Sequence, residues 1–233
     1  MSAHAGQYRR SLGTLAIMVG VLVPVEGLDG AGKRTLTDAV LAGLRARGLR
    51  VATLAFPRYG VSVHADLAAE ALRGAHGDLA ASVNAMALLF ALDRADARDE
   101  LSKLLADNDI VLLDRYVASN AAYSAARLEQ DARGEIVSWV AELEFERFAL
   151  PAPNVQILLD VPVAVAEERA RLRGEADHTR ALDAYEKDGG LQRRTGNVYR
   201  ELAEINWHST WWVHRSGDDP ATLVARLAEI VAG

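Results

Sequence analysis

One loop dominates what this chain can fold into. Gly27-Leu28-Asp29-Gly30-Ala31-Gly32-Lys33-Arg34-Thr35 follow directly on an apolar run, Val21 to Val25, and open a helix-like stretch from Lys33 to Arg47. Glycines let backbone N–H groups turn inward around phosphate oxygens, a lysine adds a mobile positive charge, and the helix aims its positive end at the same point. Strand, loop and helix in that order make the motif specific. It has one departure: Arg34 stands where a Ser or Thr normally ligates magnesium, and the hydroxyl comes one residue later at Thr35. Metal binding is therefore expected to depend on Asp29 and a later carboxylate.

The loop makes the surrounding pattern readable. Arg50–Ala55, Ile110–Leu113, Val155–Leu159 and Trp211–Val213 are short runs rich in apolar residues. Helical periodicity fills the gaps at 63–72, 80–106, 117–128, 135–148, 163–172, 181–204 and 221–231. Strands alternating with helices predict an α/β fold with a five-stranded parallel sheet covered on both faces. Ligands of such sheets sit at the carboxyl ends of the strands.

No linker or repeat divides the chain, so one domain is expected over residues 19–233, preceded by an extension, 1–18, of no assigned role. Arg9-Arg10 and the apolar stretch from Leu15 to Val25 have the outline of a signal peptide. The stretch is too short to span a membrane, and it runs straight into Gly27, which favours a buried first strand. There is no cysteine, which excludes disulfides, a thiol nucleophile and Cys-type zinc sites. The net charge of −6 disfavours general nucleic-acid binding but permits a local basic pocket. Together these features suggest a cytoplasmic enzyme, with neither nucleic acid nor membrane as partner.

Two strand ends facing the loop carry arginines, in Phe56-Pro57-Arg58-Tyr59 and in Asp114-Arg115-Tyr116. Arginine offers phosphate a planar, permanently charged fork, so the pair predicts a second anion site and favours a kinase over a simple nucleotidase. Phe90 and Arg94 share one helix face, a ring beside a donor; Tyr116, Asn120, Tyr123 and Arg127 share another. On the residues alone Phe90 and Tyr123 read first as core packing, whereas an amide such as Asn120 in an alanine-rich stretch needs partners. Farther on, RARLRGEADHTR spans Arg169 to Arg180, with Arg169 and Arg173 on one face and Gly174 as an expected hinge. That segment reads as a cationic lid over about 169–182, or as an ordinary charged helix end.

Taken in order, EGLDGAGK at Glu26–Lys33, FPRY at Phe56–Tyr59, LFALDR at Leu89–Arg94, DRYVASNAAY at Asp114–Tyr123 and DAYE at Asp183–Glu186 resemble the bacterial thymidylate kinases, especially the actinobacterial branch. The resemblance implies a P-loop NTPase fold of the nucleoside monophosphate kinase type, a homodimer packed through helices, and transfer of the γ-phosphoryl group of ATP to dTMP with Mg²⁺. It also implies roles. Gly27, Gly30, Ala31, Gly32, Lys33, Arg34, Thr35 and Arg169 would bind ATP. Phe90 would stack on thymine, with Arg94 and Asn120 bonded to its edge and Tyr123 occupying the place of a 2′-hydroxyl. Asp29 would hold the 3′-hydroxyl, and Phe56, Pro57, Arg58, Tyr59 and Arg115 the acceptor phosphate. Asp183, Tyr185 and Glu186 would line the sugar and metal end, with Asp29 and Glu186 on the metal. Asp29, Lys33, Arg115, Arg173 and Arg180 are the expected catalytic groups. Arg173 and Arg180 are assigned to the lid because Gly30 occupies the position at which some members carry a P-loop arginine. Two rivals differ at the acceptor: a deoxynucleoside kinase needs a carboxylate base, and a regulatory nucleotide switch needs no acceptor pocket.

Overall fold

The computed structural model describes residues 20–176, Tyr185 and 189–232, the side chains of 173–176 excepted. Five strands form one sheet: β1 (Val21–Glu26), β2 (Val51–Ala55), β3 (Ile110–Asp114), β4 (Val155–Asp160) and β5 (Thr210–Arg215). Their order is β2-β3-β1-β4-β5, and every pairing is parallel, with Val25 opposite Asp114 on one side and Ile157 on the other. All of β3 from Ile110 to Leu113 is sealed from solvent. This explains why the strand reads as an unbroken apolar run rather than an alternation.

The helices are α1 (Lys33–Ala46), α2 (Val63–Leu72), α3 (Val83–Asp96), α4 (Arg98–Asp107), α5 (Val117–Arg127), α6 (Glu135–Ala141), α7 (Val163–Ala176), α8 (Gly189–Glu204) and α9 (Pro220–Ala232). Helix α1 buries Leu36, Val40 and Leu44 at helical spacing against the sheet. Ser62 and Ser82 cap α2 and α3, each side chain accepting a backbone N–H from the third residue on. Helix α5 is closely packed because Ala118, Ala121, Ala122, Ala125 and Ala126 are fully buried and take little room. From this helix Ser119 reaches Glu26 at the carboxyl end of β1 and Tyr123 reaches Asp29 in the loop beyond it, while Asn120 turns to Ala87 and Glu144.

Three stretches depart from the sequence expectation. The helix expected over 80–106 is two helices that meet at Ala97, preceded by a 3-10 turn at Leu79–Ala81. The one expected over 135–148 widens into a π-helical segment at Glu142–Arg147. Helix α7 continues through Gly174, the expected hinge, to Ala176. Most of 181–188, expected as helix, lies outside the described residues. Among the described residues no helix is long and apolar enough to cross a membrane.

Candidate active site

The loop after β1 closes on itself before α1 begins. Lys33 Nζ donates to the carbonyls of Gly27 (3.2 Å) and Leu28 (3.0 Å), and Gly32 caps α1 at φ 100°. Gly30 has φ +77°, and a Cβ there would lie 2.0 Å from the Ala166 carbonyl of α7. Any side chain at that position would force α7 away, so only glycine fits there without a shift of that helix. Arg169 of α7 donates to Ala31 O at 3.2 Å, joining that helix to the phosphate loop.

At the end of the adjacent strand β3, Arg115 has φ 68°, a left-handed conformation that costs a non-glycine residue about 1–2 kcal/mol. Its side chain is held from three directions. Nη2 donates to Asp29 Oδ1 (2.6 Å), and Nη1 donates to Ser119 Oγ (3.0 Å) and Tyr199 OH (3.2 Å). Behind these hydroxyls lies Glu26, fully buried, whose Oε2 accepts from Ser119 (2.5 Å) and Tyr199 (3.1 Å) and whose Oε1 accepts from the Tyr116 N–H (2.8 Å). Tyr123 OH donates to Asp29 Oδ2 at 2.7 Å.

The network divides its carboxyl groups by environment. Burial raises the Glu26 pKa, and it outweighs the hydrogen bond from Ser119 and the charge of Arg115. Burial also acts on Asp29, but Arg115, Lys33 and the Tyr123 hydroxyl prevail and hold its carboxyl far below the usual range. Burial, then the Arg115 charge, pushes Lys33 down to about 8. Asp114 Oδ1 is buried beside Lys33 without a hydrogen-bond partner among the described residues.

Away from the phosphate loop, Arg94 and Asn120 meet at Glu144. Glu144 Oε2 accepts from Arg94 Nε (2.5 Å), and its Oε1 accepts from Arg94 Nη2 (2.8 Å) and Asn120 Nδ2 (2.8 Å). Phe90 is half-buried against a small cluster of Ala68, Ala71, Leu72 and Met86, which Tyr185 also touches. Tyr185 stacks on Tyr123 at 5.9 Å and receives a hydrogen bond from Arg127 at 2.6 Å.

Asp29, Lys33, Arg115 and Tyr123 are thus brought together as expected, and Asn120 with Arg94. Arg58 is turned instead to the acidic side of α3 and α4: Nε lies 2.9 Å from Asp93 Oδ1, Nη2 3.3 Å from Asp96 Oδ2, and Nη1 3.5 Å from Glu100 Oε2. Phe56 is buried against Tyr116, whereas Tyr59 is half exposed. Arg34 and Thr35 are exposed at the start of α1, Arg34 facing Asp38 at 3.9 Å. The Arg173 side chain, Arg180, Asp183 and Glu186 lie outside the described residues. Sequence reasoning left Glu26, Tyr199 and Glu144 without roles. Glu144 had a legible signal, since with Val137 and Val140 it falls on the buried stripe of its helix, where a carboxylate needs a partner.

A model of the thymidylate kinase family matches residues 25–213. The chain is 56% identical over 208 residues to the thymidylate kinase of Mycobacterium tuberculosis, a match covering 89% of this chain and 97% of that protein. It is 37% identical over 174 residues to a thymidylate kinase of Xanthomonas oryzae, covering 72% and 68%, and 32% identical over 191 residues to a probable thymidylate kinase of Thermococcus gammatolerans, covering 80% and 85%. A family model over most of the chain and relatives this similar, on a sheet and phosphate loop of this form, show that the chain belongs to the thymidylate kinase family.

Proposed function

We propose that this chain transfers the γ-phosphoryl group of ATP to dTMP, giving dTDP and ADP, and that Arg115 holds the acceptor phosphate opposite the phosphate loop. The observation that carries the reading is one carboxylate, Asp29, placed between two cations, Lys33 and Arg115, at the ends of neighbouring strands. One cation serves the donor and the other the acceptor. An open cleft of about 370 Å³ beyond β4 and β5, lined by Asp160, Pro162, Arg200 and Arg215, leaves room for the donor nucleoside on the side away from Arg115.

In the transfer, an oxygen of the dTMP phosphate bonds to the γ-phosphorus while the bond to the β,γ-bridging oxygen breaks, and that oxygen leaves with ADP. The second pKa of a phosphate monoester is about 6, so the nucleophile is already anionic and no general base is needed. The protein must align two highly charged groups and offset their repulsion. Lys33 does so on the donor side, and Arg115, with Tyr59, on the acceptor side. Arg58, paired with Asp93, Asp96 and Glu100, anchors the loop after β2 to α3.

Magnesium in phosphoryl-transfer sites is held by one or two carboxylates together with the phosphates, and no all-protein cage is required. The residues fit that chemistry: Asp29 is an ionised carboxylate beside the loop, and Asp114 offers a buried oxygen without a hydrogen-bond partner among the described residues. Asp29, with Glu186, would hold the ion, which would supply positive charge to offset that of the phosphates.

At the base, Phe90 stacks on thymine, while Arg94 and Asn120 read its edge and Tyr123 fills the place of a 2′-hydroxyl. Arg173 and Arg180 supply charge from the lid. The chain works in the cytoplasm and as a homodimer, and the exposed apolar side chains of Val63 on α2 and Leu88 on α3 support the dimer alone. Steady-state ADP release with dTMP, dUMP, dCMP and thymidine tests the function. Turnover is expected with dTMP, whereas thymidine as the preferred acceptor would make the chain a nucleoside kinase.

A further inference from the structure

Glu144 takes no part in the chemistry above, yet it is fully buried and receives three hydrogen bonds from two side chains assigned to the base. The other hydrogen of Asn120 Nδ2 goes to the Ala87 carbonyl at 2.9 Å. Both acceptors, a backbone carbonyl and a carboxylate engaged with a guanidinium, have no hydrogen to give. Turning the Asn120 amide over would set Oδ1 against two oxygens, so its orientation is fixed by its surroundings. The amide then has only an acceptor left, Oδ1. Arg94 gives Glu144 its Nε hydrogen and one Nη2 hydrogen and keeps the hydrogens of Nη1 and the second of Nη2, all of them donors. Neither Oδ1 nor Nη1 has a hydrogen-bond partner among the described residues, and neither is among the polar atoms sealed without one, so both face accessible space.

A 4-oxo pyrimidine presents an acceptor, O4, beside a donor, N3–H. A 4-amino pyrimidine presents the reverse. We infer that Glu144 is a specificity-determining residue: by taking one hydrogen of the Asn120 amide it holds Oδ1 as an acceptor, and by pairing with Arg94 it sets a donor-only guanidinium beside it, a pair that accepts 4-oxo and rejects 4-amino pyrimidine nucleotides. The inference rests on the assignment of Arg94 and Asn120 to the base edge. Against a 4-amino base, two donors would face each other beside two facing acceptors, all withdrawn from water, and sites built on such pairing discriminate strongly.

The test compares kcat/KM for dTMP, dUMP and 5-methyl-dCMP in the full chain, as wild type, Glu144→Gln and Glu144→Asp, with thermal melts to confirm folding. 5-Methyl-dCMP keeps the methyl group, sugar and phosphate of dTMP and changes only the edge. Wild type is expected to prefer dTMP over it by on the order of 10⁴-fold. Glutamine can give a hydrogen as well as accept one, so it removes one of the two acceptors that hold the Asn120 amide, leaving the Ala87 carbonyl as the other. Glu144→Gln should lower the preference by about tenfold or more, with the dTMP/dUMP ratio staying within about twofold, since that ratio does not sample the edge. A merely structural defect would reduce all three substrates alike. Glu144→Asp retains acceptor-only character and should retain the preference even where turnover falls. A folded Glu144→Gln with the wild-type preference overturns the inference, and so does a folded Glu144→Asp that has lost it; the latter decides alone if the glutamine variant does not fold. If wild type itself takes 5-methyl-dCMP as readily as dTMP, the base-edge assignment fails first.

Discussion

Lys33 makes the unliganded protein less stable at neutral pH than its packing allows, and the size of the effect follows from its surroundings. Burial and the Arg115 charge bring its pKa from 10.5 to about 8 in the folded chain. The folded value lies below the unfolded one, so between pH 8 and 10.5 the unfolded chain binds more protons and stability rises with pH. Below pH 8 the folded state carries the whole penalty, about 3 kcal/mol at 1.36 kcal/mol per unit. Urea unfolding of wild type and Lys33→Met without nucleotide, at pH 7, 8.5 and 10, isolates the lysine because other titrations cancel in the difference. Wild type should gain about 2.5 kcal/mol on the methionine variant between pH 7 and 10, the remainder coming above pH 10. Saturating ATP should flatten the gain, since phosphate charge restores the lysine pKa. Parallel curves for the two proteins at all three pH values would refute a buried, depressed Lys33.

Other outcomes follow from the same contacts. Gly30→Ala places a Cβ 2.0 Å from Ala166 O at φ +77°; it should cost at least about 1–2 kcal/mol from the backbone alone, and an unchanged melting temperature would mean that α7 yields freely. Tyr199→Phe leaves Glu26 and Arg115 each one partner short and should cost about 1–3 kcal/mol of stability. It should also lower kcat/KM for dTMP by on the order of tenfold through a misplaced Arg115; a stability loss with intact kcat/KM would separate Arg115 from its hydroxyl partners. Tyr123→Ala should raise kcat/KM for ribothymidine monophosphate relative to dTMP, and a constant ratio would leave Tyr123 a packing residue. Arg173→Ala or Arg180→Ala should cut kcat while the dTMP Kd barely moves; wild-type kcat in both would remove the lid from the chemistry.

The parts of the site written in contiguous sequence were legible from it. The glycine loop, its lysine and the strand before it announce themselves within a few residues, and Asn120 stands out because an amide among alanines needs partners. What could not be read depends on contacts between distant segments. Glu26 is joined to Tyr199 across 173 positions and Arg94 to Glu144 across 50, and no local pattern records either pairing. Arg58 shows the same limit from the other side. Its place at a strand end suggested a phosphate ligand, but Asp93, Asp96 and Glu100, which compete for its guanidinium, come from helices whose approach is set by the packing of α3 and α4. The boundary at Ala97 was hidden because apolar periodicity continues across it.

Equilibrium binding of dTMP and of thymidine to wild type and Arg115→Ala shows whether the acceptor is a nucleotide whose phosphate docks on Arg115. Truncating one side of a buried, hydrogen-bonded charge pair costs about 2–5 kcal/mol, which corresponds to roughly thirtyfold or more in Kd. Wild type should bind dTMP more tightly than thymidine by at least about that factor, and Arg115→Ala should erase the difference while leaving thymidine affinity nearly unchanged. A variant that folds and still prefers dTMP by the wild-type margin would contradict the account.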